Sequence, residues 1–240
     1  MSGHYMSFEA TATLRRDAET FIENIHRGER ASQSLLLQQV LDAFVNECLQ
    51  VFFLTPADVV GLSPLGRKLL TTAIATIRKT LQMVLGRITR KLSNRDMRPL
   101  ALFIDEVMVR DRKNSGGPAL ITFELEDNLG EELQQMQQAF RDGCPGATET
   151  MIIAFQTMAN DAIVEIFAEP VAMLNLGPVL RKLADMGIDT TRSVTLGLIR
   201  RLFGTLSSDQ LAAVLDYFCG MISADPLLLR DARTQQRELA

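Results

Sequence analysis

Leu62-Ser63-Pro64-Leu65-Gly66-Arg67-Lys68-Leu69 and, 114 positions later, Leu176-Gly177-Pro178-Val179-Leu180-Arg181-Lys182-Leu183 are variants of one pattern. In each, a small residue precedes a proline, the arrangement that opens a helix at the one place where a missing amide hydrogen does no harm. The same offset gives eleven identities over residues 62–93, where ordinary composition gives about two. It also aligns Asn46 with Asn160, Phe53 with Phe167 and Pro56 with Pro170, and an offset of 115 aligns Phe8-Glu9, Leu14 and Gly28 with Phe123-Glu124, Leu129 and Gly143. The expectation is a tandem duplication of a unit of about 100 residues. The copies would span 7–112 and 121–223, joined by a linker at 113–120 that contains Asn114-Ser115-Gly116-Gly117-Pro118. A tail, 224–240, has no counterpart and could begin a further helix at Leu227.

Five helical segments are expected per copy, which makes the fold class all-α: two multi-helix units packed as a pseudo-symmetric bundle. The first runs from about Phe8 to Arg27 and from Glu124 to Arg141, each closed by a glycine, with a short extended entry at 122–125. The second covers about Ser34–Leu54 and Thr148–Ala168, ended or kinked by Pro56 and Pro170. The third is the short segment opened by Pro64 and Pro178. Gly187 and Asp189 are expected to break it from the fourth, and a bend near 72–75 follows by analogy. The fourth ends at Leu92 and Leu206. Ser93 to Asp96 and Ser207 to Gln210 have capping-box spacing and open the fifth, which runs through about Val109 and Ser223.

Composition fits a globular chain, with 47% hydrophobic and 22% charged residues. A formal charge of -4 opposes a generally basic nucleic-acid binder. Cys48, Cys144 and Cys219 are too far apart for a zinc knuckle and suggest no disulfide framework, and residues 1–10 lack the pattern of a secretory signal. A cytoplasmic setting is expected. Leu35–Leu54 and Met151–Leu174 are apolar over membrane-spanning length, but Asp42, Glu47, Asp161, Glu165 and Glu169 interrupt them, so both read as core helices.

No phosphate loop, metalloprotease motif or Cys-x-x-Cys is present. With only His4 and His26, histidine-based catalysis or metal binding has little to draw on. No catalytic residue, metal ligand or cofactor is therefore expected. Gly61-Leu62-Ser63-Pro64-Leu65-Gly66 resembles a nucleophile elbow only loosely, and Ser63 reads as a helix cap. Asn46-Glu47 and Asn160-Asp161 are aligned polar pairs in apolar helices. They are candidates either for a meeting near a pseudo-axis or for a register-fixing, solvent-edge role.

Charge is segregated. Residues 59–94 carry no acid and seven cations, whereas 121–170 carry ten acids against Arg141 alone. Arg67, Lys68, Arg78, Lys79, Arg181, Lys182 and Arg192 are the candidates for an anionic partner, unless basic helices simply lie beside acidic ones. The first functional expectation is a non-enzymatic interaction protein, an adaptor or regulator acting through protein contacts. The alternative is a binding protein for an apolar or amphiphilic ligand held between helices. A further alternative is a peripheral membrane or nucleic-acid binder using its basic amphipathic helices.

Overall fold

The computed structural model describes residues 4–110, 119–125, 128–142 and 146–223. The chain is mostly helical. The longest elements, α4 (Pro64–Thr89) and α9 (Pro178–Phe203), start at the two prolines and run unbroken for 26 residues each. Neither the break at Gly187 and Asp189 nor the bend near 72–75 occurs. The reason lies in packing. Gly187 is buried, and a Cβ built on it would lie 2.8 Å from Val84 Cγ2; one built on Gly66 would lie 3.6 Å from Leu202 Cδ2. The two helices thus pack antiparallel along their length, and the glycine admits a close approach instead of ending the helix. Exposed Asp189 meanwhile reaches Arg192 at 3.5 Å on the same helix.

Gly187→Ala is therefore expected to cost about 1–2 kcal/mol, because the overpacking penalty exceeds alanine's helix preference. Adding Val84→Ala should recover part of it. A rise in the denaturant midpoint on Gly187→Ala alone would mean that the helices have room to spare.

Around this pair, α2 (Ser34–Leu49) packs on α1 (Ala12–His26) and α4, while α7 (Ala147–Ile163) packs on α6 (Leu129–Arg141) and α9. Pro56 and Pro170 do not end the second helix. Each is the second residue of a short α-helix, α3 (Thr55–Val60) or α8 (Glu169–Ala172), that directly follows a π-helical segment, Gln50–Leu54 or Val164–Ala168. The amide of Thr55 donates to the carbonyl of Gln50, and that of Glu169 to Val164, five residues back in both cases. Widening the helix here fits a proline's lack of a donor and its crowding of the preceding turn. Ser34–Val60 and Ala147–Ala172 are each long and apolar enough to cross a membrane by length and composition.

The end of each half departs from the all-α expectation. Tyr5–Glu9 is a strand, β1, not the start of the first helix; Met6 and Phe8 are buried and Glu9 is exposed. Helix α1 begins only after Thr11, whose hydroxyl accepts from the amide of Leu14. β2 (Met108–Arg110) and β4 (Ile222–Ser223) occupy what the sequence reads as the last turn of the fifth helix, so α5 (Arg98–Val107) and α10 (Ser208–Cys219) are shorter than expected. β3 (Ala119–Glu124) extends the short strand expected at 122–125 and takes in the last two residues of the expected linker. The rest of the linker, 113–118, and the tail, 224–240, lie outside the described residues.

The four strands form one antiparallel sheet in the order β2-β3-β1-β4. Ser7 faces Thr122 at its centre, flanked by Met6 opposite Phe123 and Phe8 opposite Ile121. Outward from there, Met6 pairs with Ile222 and Ile121 with Met108. Both spacings read as capping boxes form reciprocal bonds. Ser207 and Gln210 cap α10, and Ser93 and Asp96 join in the turn before α5, where bonds from Ser93 hold the Asp96 carboxyl below its ordinary range.

Candidate ligand cavity

The π-helical segments decide the interior. They turn Phe52 and Phe53 from one side, and Ile166 and Phe167 from the other, toward an apolar cavity of about 120 Å³. Ile77 and Leu81 of α4 and Thr191 and Thr195 of α9 line it as well, as do Phe123 of β3 and Phe218 of α10. The long helices, the sheet and α10 thus each contribute to the wall. Much of the wall is aromatic and fixed ring against ring: Phe52 lies 6.1 Å from Phe123 and 6.4 Å, stacked, from Phe218, and Phe155 stands edge-on to Phe203 at 5.1 Å and to Phe218 at 5.0 Å. Two bonds tie α10 across the chain to this region, Tyr217 Oη to the Val51 carbonyl at 3.0 Å and Gln210 Nε2 to the Val60 carbonyl at 2.8 Å. Burial raises the Tyr217 hydroxyl's pKa.

Among the described residues no charged side chain lines the cavity, and the polar side chains that do are Thr191, Thr195 and Cys48, whose thiol burial keeps protonated by pushing its pKa far up. A second apolar cavity, about 70 Å³, lies on the other side of Val45, Ile166 and Phe167, which line both. Comparisons with protein-family models, curated proteins and solved structures give no match.

None of the eleven candidate residues named from the sequence lines either cavity. Asn46 accepts from Arg78 Nε at 2.9 Å. Glu47 takes the backbone amide and hydroxyl of Thr11 and so anchors the start of α1. Asn160 and Asp161 are half-buried on α7, which packs on α6 and α9. Arg67 pairs with Asp58 at 3.3 Å, whereas Arg181 donates to the carbonyls of Val171 and Leu174 at 3.0 and 2.8 Å and caps the end of α8. Half-buried Arg192 faces Asp189, and Lys68, Lys79 and Lys182 are exposed. Since α4 and α9 are antiparallel, Arg67-Lys68 and Arg181-Lys182 begin opposite ends of the pair. Among the described residues no group of three or more His, Cys, Asp or Glu could hold a metal ion.

The residues that make the cavity were missed because their sequence signature is that of any buried helix. The one usable signal was a pair of bulky apolar residues a few positions before a proline at the same place in both halves, Phe52-Phe53 before Pro56 and Ile166-Phe167 before Pro170.

Proposed function

We propose that the chain is a non-catalytic binding protein that holds a small, neutral, apolar molecule between its helices. The observation that carries this reading is the 120 Å³ cavity with hydrocarbon walls. Protein interiors are close-packed. An empty space of that size costs about 3 kcal/mol at the usual penalty per unit volume, and one or two larger side chains would remove it. A dry cavity of about 150 Å³ takes benzene, so a guest of about one ring is the right scale. A cytoplasmic setting accords with Cys48 and Cys219 being free thiols.

The test is binding of benzene, toluene and short alkanes by calorimetry or NMR, with Ala162→Leu, which adds bulk to the wall, as the variant. Guests are expected to bind the parent chain and to raise its melting temperature by mass action. Ala162→Leu should bind them weakly while melting at the same or a higher temperature. Failure of the parent chain to bind any of them would end the reading.

A role as an adaptor or regulator that contacts a protein has one observation in its favour. Val59 and Leu65 are 53% and 68% exposed, and the residues 114 positions later, Met173 and Val179, are 46% and 82% exposed. Large apolar side chains left in water at matching places suit a partner with matching contacts.

We also infer that the chain arose by duplication, with residues 7–112 and 121–223 as its two copies related by a pseudo-two-fold axis. What supports this is register. The prolines, the π-helical segments and the starts of the two 26-residue helices all recur at an offset of 114. In the sheet, the pairing of Leu120 with Val109 recurs as that of Tyr5 with Ser223.

A further inference from the structure

From the two cavities taken together we infer that the ligand is elongated: an apolar molecule whose body fills the 120 Å³ cavity and whose tail runs into the 70 Å³ one, as an alkyl chain carried on a ring does. The inference rests on the reading that the larger cavity is a binding site. Val45, Ile166 and Phe167 line both spaces, so the partition between them is one side chain thick. Two of the three, Ile166 and Phe167, belong to the π-helical segment Val164–Ala168. Phe167 is half-buried, and its ring meets that of Phe44, on the wall of the smaller cavity, at 6.4 Å and 54°, neither stacked nor edge-on. Phe155, by contrast, is held edge-on by two rings at 5.1 and 5.0 Å. Phe167 lacks that favoured geometry, and it is the part of the partition that can turn aside.

The smaller space is as apolar as the larger. Among the described residues the one polar side chain lining it is Thr89, whose hydroxyl already donates to the Leu85 carbonyl at 2.9 Å. Water finds no set of polar partners there, whereas each methylene brought in from solvent gains its transfer free energy and restores contacts that an empty wall lacks. A compact guest fills one space and leaves the other empty, at the cost that any void in a close-packed interior carries. An extended guest fills both after a rotation of Phe167, with every helix left in place. The buried part of the ligand is uncharged along its length, since among the described residues no charged side chain lines either cavity.

n-Butylbenzene and tert-butylbenzene have the same composition and different shapes. Binding of benzene, toluene and both isomers to the full chain is measured by calorimetry, and bound n-butylbenzene is located by nuclear Overhauser contacts. Affinity is expected to rise about threefold for each methylene from toluene to n-butylbenzene, close to the transfer gain of a buried methylene, and tert-butylbenzene should bind at least about tenfold more weakly than its isomer. The ring should contact Leu81 and Leu198, which line only the larger cavity, and the terminal methyl should contact Leu100 and Ile104, which line only the smaller. Val107→Phe on α5 and Val171→Phe on α8 each add bulk to the smaller cavity alone. Each should bind benzene within about twofold of the parent and lose the gain from toluene to n-butylbenzene. If benzene or toluene binds but the gain per methylene is missing, the isomers bind alike, or the tail makes no contact with Leu100 and Ile104, the inference is wrong while the cavity reading stands. A gain that survives in either filled variant that folds places the tail elsewhere and equally overturns the inference. If none of the four compounds binds the parent chain, the cavity reading falls and this inference with it.

Discussion

Replacing Phe155 by alanine is expected to destabilise the protein by about 3–5 kcal/mol. Phe155 is 1% exposed on α7, edge-on to both Phe203 of α9 and Phe218 of α10, and it forms part of the wall of the larger cavity. Truncation removes burial and two aromatic contacts together. The surrounding rings belong to two other helices, so little collapse can fill the gap, which is the condition for a cost at the upper end of the range. The enlarged space adjoins the existing one, and a two-ring guest such as naphthalene should restore part of the lost stability in proportion to its concentration over its Kd. Urea melts check both statements. A loss under about 1 kcal/mol would mean that the three helices close on each other easily and that the cavity walls are not rigid.

The second large effect is expected at Met6, where alanine should cost about 2–5 kcal/mol. Met6 is fully buried, pairs with Phe123 on one side and Ile222 on the other, and belongs to the apolar cluster built mainly from Leu129, Met151, Phe155 and Leu215. Although it precedes α1 in the chain, its packing is with the later helices. Native-state hydrogen exchange on Met6→Ala should therefore show faster exchange at Phe123, Met151 and Leu215. Loosening confined to α1 and α2, with those amides unchanged, would refute this placement.

The starts and buried faces of the long helices were legible because their signals are local and strong, whereas their unbroken length was not. Ser63-Pro64 and Gly177-Pro178 mark starts, and Leu70, Ile74, Ile77 and Leu81 keep to one face over many turns and are all buried. Apart from the extended stretch at 122–125, which falls largely in β3, the strands were not legible. Met6 and Phe8 alternate over only five residues, and Met108–Arg110 and Ile222–Ser223 are shorter still; Tyr5–Glu9 and Ile222–Ser223 owe their identity as strands to pairing with residues more than a hundred positions away, which no local window contains, and Met108–Arg110 owes its identity to Ala119–Ile121. Gly187 was read as a breaker because its letter says only that a side chain is missing, while its use depends on where Val84 lies.

The site was the least legible part. Arginines and lysines stand out in a sequence, yet Arg78 and Arg181 spend their hydrogen bonds on Asn46 and on the end of α8. A cavity, by contrast, is made of what neighbouring side chains fail to fill, and Phe52, Phe167 and Thr191 look like core positions until their surroundings are known. Pro56 and Pro170 were noticed, but a widened helix turn depends on how the backbone relaxes around a missing donor, which the letter does not specify.

The order of strands in the sheet also sets an order in time. Tyr5–Glu9 is made before either of its partners, Ala119–Glu124 and Ile222–Ser223. While the ribosome is still working through the first helices, this segment has two unpaired edges and two large apolar side chains, Met6 and Phe8, with nowhere native to go. Such distant pairing slows folding and prolongs the exposure of sticky backbone. A chaperone that captures short apolar segments from nascent chains would find a target here, and would have to release it only when Ile222–Ser223 has been made.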